Sequence, residues 1–240
     1  MKIKSATNKI MLILLSLILG FSFQQVSANN STLTPDREDR SVSGFTQLEV
    51  SGAFEIVLTQ GNTESLTIEA DEKIMSSIKT RVTGNTLEIY TKGTIRNYKV
   101  MRVYVTFKQL ESIDLSGAVK VTADQSLQFD RLDLDISGAC TIEFDMEADR
   151  LDLDLSGASK LSLNGYVNYL EADCSGSSKL MLAGLKTKRI SFESSGASTA
   201  EFWVTESLDV ETSGASNVRY KGNPATVNVE NSGASSVKKM

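Results

Sequence analysis

The chain has 240 residues, 40% hydrophobic and 23% charged, a globular composition with length enough for one domain or one elongated repeat array. It contains no histidine, which excludes histidine-based triads, most catalytic zinc sites and the usual near-neutral general base. With 25 basic against 30 acidic residues the formal charge is −5, a balance that argues against a nucleic-acid partner.

Lys2, Lys4 and Lys9 precede an apolar run of 14 residues, Ile10 to Phe23, and Val26-Ser27-Ala28 supplies small residues for a peptidase. This predicts a secretory signal peptide over residues 1–28, cleaved after Ala28. The run falls short of the ~20 residues a membrane-spanning helix needs. Lysines are the only charges in the leader, so the rest carries 22 basic against 30 acidic residues, a balance of −8. The first cysteine is Cys140, so no lipid-modified N-terminus is expected, and nothing later reads as a transmembrane helix. The expected location is the periplasm, the outer cell envelope or the medium. Residues 29–39 are polar, contain Pro35, and read as a flexible lead-in.

From residue 40 to 240 the sequence reads as one solenoid, with less regular coils over 40–110. Leu66-Thr67-Ile68-Glu69, Leu87-Glu88-Ile89-Tyr90 and Val103-Tyr104-Val105 alternate as strands do, and Asp71 to Lys79 holds a candidate helical turn. Over 111–240 the tripeptide Ser-Gly-Ala, once Ser-Gly-Ser, recurs. With an early copy at Ser51, its serines are Ser116, Ser137, Ser156, Ser175, Ser195, Ser213 and Ser232, 18 to 21 residues apart from Ser116 onward. Helix-pair repeats are longer and have a 3.6-residue period, whereas Leu151, Leu153 and Leu155 alternate with Asp152 and Asp154. Stacking such units puts like residues above like, ~4.8 Å apart. The predicted fold is all-β: a single-domain parallel β-helix, right-handed because the six-residue repeat of left-handed helices is missing, with about 19 residues per coil and roughly ten coils.

Alignment on the serine makes columns. The residues three before it (Ile113, Leu134, Leu153, Ala172, Phe192, Val210, Val229) are apolar and belong inside. The residues one before turn polar from Ser194 onward, as though the coil narrows or opens to solvent. The small residues two after, such as Ala139 and Ala158, suggest a corner that admits only a methyl group. Ser159, Ser178, Ser198, Ser216 and Ser235, three after, fit either a hydrogen-bond ladder or a binding surface. Cys140 and Cys174 stand in different columns and are expected to remain unpaired.

Two before each serine stand Glu49, Asp114, Asp135, Asp154, Asp173, Glu193, Glu211 and Glu230; Asp133, Asp152, Glu171 and Asp209 add a second, partial column. Stacked like charges repel by about 0.9 kcal/mol per pair even in water. Lysines reaching across the corner (Lys120, Lys160, Lys179) would offset this. So would calcium held by a face of Asp133, Asp135, Asp152, Asp154, Glu171 and Asp173, or a cationic partner. Otherwise no cofactor is expected.

GFTQLEVSGAFEIVLTQG near the N-terminus, LTIEADE, NTLEIYTKG and the recurring LSGASK units resemble the auto-transporter adhesin head GIN domain family, exported proteins common in Bacteroidetes. The resemblance covers residues 40–240 and implies an exported β-helix with an adhesive role; it brings no catalytic residues. The leading expectation is therefore a non-catalytic, adhesin-like or envelope-associated protein that binds a glycan or cell-surface partner. Tyr166, Tyr169, Trp203 and Tyr220 are the candidate sugar-binding aromatics, with Phe202 beside them. The alternatives are a polysaccharide lyase or hydrolase, or a ligand-free structural envelope protein assembling end to end. Uniform coils offer carboxylates in like environments, whereas acid–base pairs need unlike ones.

Overall fold

The computed structural model describes residues 35–240. The expected signal peptide, residues 1–28, and most of the lead-in lie outside the described residues. Among the described residues no helix is long and apolar enough to cross a membrane.

The chain forms an all-β solenoid of about seven turns, with coils stacked about 19 residues apart. The regular part comprises β8 (Ser112–Gly117), β9 (Lys120–Ala123), β10 (Leu127–Gly138), β11 (Thr141–Gly157), β12 (Lys160–Cys174), β13 (Lys179–Ser194), β14 (Thr199–Thr212), β15 (Asn217–Lys221), β16 (Thr226–Asn231) and β17 (Ser236–Lys239). Every pairing among these strands is parallel and joins a residue to its copy one coil away, as in Leu134 to Leu153 and Leu153 to Ala172. Each coil has one run ending at Ser-Gly-Ala, which carries the acidic column, and a second run after that corner. Inward residues of the two runs meet in one core, where Phe192 of the first packs edge-on against Phe202 of the second at 5.3 Å. Each fully buried leucine of this core stabilises by about 1.5–3 kcal/mol relative to its exposed state.

The coil count is about seven rather than ten because much of residues 36–107 builds an end layer instead of coils. That region contains β1 (Asp36–Arg40), β2 (Gln47–Gly52), β3 (Glu55–Gln60), β4 (Ser65–Ala70), a single helical turn α1 (Glu72–Met75), β5 (Ile78–Thr83), β6 (Thr86–Thr91) and β7 (Met101–Phe107). Strands β2 and β3 form a true coil on top of β8 and β9, and β6 and β7 stack on them in parallel. Beyond these, β5 closes antiparallel on β6, β4 on β7, and β1 on β4. Antiparallel strands do not continue the winding, so they close the stack. The flexible lead-in expected over 29–39 is thus corrected over its last part, where Asp36–Arg40 is the outermost strand and Arg40 donates to the Ile78 carbonyl at 2.9 Å.

The corner columns differ in detail from the sequence expectations. The column one before the serine stays buried through Ser194 and Thr212, and only Asn231 in the last coil is exposed. Its polar atoms are matched: the Ser194 and Ser216 hydroxyls lie 2.8 Å apart, and the Thr212 hydroxyl donates to Asn231 Oδ1 at 2.6 Å. The small residues Ala118, Ala139, Ala158 and Ala197 are exposed, so no interior packing limits their size. Close approach constrains the glycine instead.

In the column three after the serine, Ser159, Ser198 and Ser216 form buried hydrogen-bond rungs, whereas the buried Ser178 hydroxyl has no partner among the described residues. The hydroxyls of Ser159, Ser198 and Ser216 donate to the carbonyls of Gly138, Gly176 and Gly196 at 3.3–3.4 Å. Ser159 and Ser216 also accept the amides of Cys140 and Ser198. Both cysteines are buried free thiols.

Candidate functional site

The outward residues of the acidic run form three parallel rows, because alternation sends every second residue out. The row two before the serine is continuous in register through Glu49, Asp114, Asp135, Asp154, Asp173, Glu193, Glu211 and Glu230. Glu88 extends it, pairing in register with Glu49, although no Ser-Gly-Ala marks its strand. Asp135, Asp154, Asp173, Glu193 and Glu211, with Ser156, Ser175, Ser195 and Ser213 beside them, line an open groove of about 520 Å³. Burial, then the neighbouring Glu193, Asp154 and Glu171, pushes the Asp173 carboxyl above its ordinary value of 3.8. Asp114 is raised in the same way, by burial first and Asp135 next.

The neighbouring row is neutralised by arginines. Arg131 reaches Asp133 and Asp152, each at 2.9 Å, and Arg150 reaches Asp152 at 2.8 Å and Glu171 beyond it. Arg131 and Arg150 occupy the third row, two residues before Asp133 and Asp152, where Tyr169 stands in the next coil. Arginines on the same strands therefore do what was expected of Lys120, Lys160 and Lys179. Among the described residues those lysines form no ion pair; they stand in their own column at the start of the second run. Of the six carboxylates suggested as a calcium face, Asp133, Asp152 and Glu171 are committed to arginine, leaving Asp135, Asp154 and Asp173. Among the described residues no group of three or more His, Cys, Asp or Glu side chains is placed to hold a metal ion.

The candidate aromatics separate. Tyr169 lies on the acidic run, its ring 4.4 Å from the Arg150 guanidinium carbon. Tyr220 is in register with the buried Phe202 and packs against the core, so it is the core column's partly covered end. Tyr166 and Trp203 belong to one outward row of the second run, which reads Glu147, Tyr166, Lys186, Trp203, Lys221. The Trp203 ring has Lys186 Nζ 5.8 Å and Lys221 Nζ 4.3 Å from its centroid, and Lys188 Nζ lies 5.9 Å from the Tyr166 ring. Alignment on the serine conceals this row, since β13 holds extra residues between Leu182 and Lys186 opposite adjacent residues of β14.

This architecture, with long chemically uniform rows on parallel coils, defines a β-solenoid with a repetitive outer surface. Residues 44–224 match the family model "Putative auto-transporter adhesin, head GIN domain", and the chain belongs to that family. Solved structures share the fold. A "putative adhesin" from Bacteroides fragilis is 22% identical with a TM-score of 0.82, over 86% of this chain and 97% of that one. A "putative adhesin" from Parabacteroides distasonis is 19% identical with a TM-score of 0.68, over 86% and 97%. A "Putative lipid binding protein" from the same species is 17% identical with a TM-score of 0.66, again over 86% and 97%. No curated protein matches the chain. The description of the family supports an adhesin-like role, and the solved neighbours show the shared fold.

Proposed function

We propose that this is an exported, non-catalytic, adhesin-like protein that presents the outer rows of its solenoid to a glycan of the envelope or of another cell surface. The observation that carries this reading is the register: side chains in one row recur at every coil, making linear arrays suited to a polymer rather than a pocket suited to a small substrate. The same uniformity argues against acid–base catalysis, because the groove's carboxylates share one kind of neighbourhood. The test is a panel of host and bacterial polysaccharides incubated with the protein and scored for retention and for new chain ends. Retention without new ends is the expected result. New ends would make the protein an enzyme, and no retention by any polysaccharide would sink the glycan reading.

A further inference from the structure

Building on the glycan reading above, we infer that the ligand is an anionic polysaccharide, bearing uronate or sulfate groups, and that it binds along the row of Tyr166, Lys186, Trp203 and Lys221, with Lys188 alongside. Most arginines on this protein hold a carboxylate: Arg37, Arg40, Arg81, Arg102, Arg131, Arg150 and Arg219 all do. Among the described residues Lys186, Lys188 and Lys221 form no ion pair, although the chain has more acids than bases. Their ammonium groups are placed by aromatic rings instead, and a ring holds a cation in position without cancelling its charge. Trp203 sits between two of them in register, so Lys186 and Lys221 flank one indole on adjacent strands. Its Nε1–H has no hydrogen-bond acceptor among the described residues and is a donor only, free for a hydroxyl or carboxylate of the ligand.

The rest of the surface sharpens the choice. The acidic run carries a ladder of carboxylates in which Asp135, Asp154 and Asp173 have no cationic partner, and it repels a polyanion. Attraction therefore falls on the second run, where Lys120, Lys160 and Lys179 form a further column without ion pairs among the described residues. There only the lysine–aromatic row adds ring faces to the charges. A neutral glycan could stack on aromatics but would leave three ammoniums unmatched. A uronate or sulfated chain supplies sugar faces and anionic groups together, in a repeating line that follows the row.

Trp203 is the only tryptophan, so tryptophan emission reports on this row alone. The experiment titrates the protein with polygalacturonate and chondroitin sulfate, with dextran and duplex DNA as comparisons, following tryptophan emission and retention at low and high salt. Expected are an emission change and retention with an anionic polysaccharide but not with dextran, both weakened by salt. The pair Lys186→Gln/Lys221→Gln lowers affinity about tenfold or more, while Lys186→Arg/Lys221→Arg keeps it, because the charge and the stacking on indole survive. Matching circular dichroism and melting of the two pairs shows that lost charge, not lost structure, is read. Binding of a polysaccharide with silent tryptophan emission and no loss in the Gln pair would overturn this assignment yet leave the glycan reading intact. So would equal retention by dextran. Equal affinity for DNA would make the row a general polyanion surface and overturn the polysaccharide assignment. Failure of every polysaccharide to bind would remove both readings.

Discussion

The carbonyl oxygen of Gly138 occupies the space that a β-carbon on Gly157 would need. The relation repeats along the corner column. Gly157 also has φ +119°, but Gly176 meets the Gly157 carbonyl just as closely without a positive φ. Close stacking of corners, more than backbone handedness, is therefore what the repeated glycine provides.

Gly157→Ala should then be among the most damaging single changes in the molecule. The strained φ alone costs about 1–3 kcal/mol, and the overlap with Gly138 forces the coils apart as well. Ala158→Ser, one residue away and exposed, should stay within about 0.5 kcal/mol of the parent. Urea unfolding of the two variants checks this. Equal midpoints would mean the corner can relax.

The serine ladder gives a contrast within one column. Ser216 Oγ donates to the Gly196 carbonyl at 3.3 Å and accepts the Ser198 amide, so Ser216→Ala should cost about 1–3 kcal/mol. Ser178 Oγ is buried with no partner among the described residues, so Ser178→Ala should be neutral or stabilising. Val119 and Phe54 already fill the same column with apolar groups. Thermal melts of both variants decide the matter, and a clear loss at Ser178 would mean that its hydroxyl has a partner after all.

Both thiols should be inert in the native protein. Burial, with the charges of Asp173 and Asp154 behind it, pushes the Cys174 thiol up to about 12, and burial raises Cys140. At pH 8 neither is a thiolate, and neither is reachable. Ellman's reagent should therefore release no colour from folded protein and two equivalents in denaturant. Rapid reaction of one equivalent in the native state would disprove this.

The alternation and the tripeptide made the solenoid legible, since a period of two and one of about 19 residues have few other structural meanings. Leu153 inside and Asp154 outside follow from spacing alone. The end layer was harder, because Leu66-Thr67-Ile68-Glu69 looks the same whether it pairs parallel or antiparallel. Arg131 and Arg150 could have been found by counting two residues back from Asp133 and Asp152. The row through Trp203 could not, because the extra residues in β13 break the alignment between Lys186 and Trp203. Whether the serine column was a hydrogen-bond ladder or a binding surface was a matter of geometry that the sequence could only leave open.

The acidic ladder makes the last prediction, about pH and salt. Asp173 has its pKa raised by burial and then by Glu193, Asp154 and Glu171, and Asp114 is raised by burial and by Asp135. A carboxyl whose folded value exceeds the unfolded one takes up its proton more readily when folded, so its stabilising contribution is full below the ordinary value of 3.8 and is lost as pH rises through the folded value. At neutral pH these two residues work against the fold. Asp173→Asn should accordingly melt higher than the parent at pH 7, and the gap should close as the pH falls through and below 3.8. Sodium chloride should raise the parent's melting temperature more than the variant's, because screening relieves the same repulsion. Calcium chloride at matched ionic strength should add nothing further, since Arg131 and Arg150 already hold Asp133, Asp152 and Glu171. A larger rise with calcium would instead assign the ion to Asp135, Asp154 and Asp173, and a lower-melting Asp173→Asn at pH 7 would show that the ladder is not under strain at all.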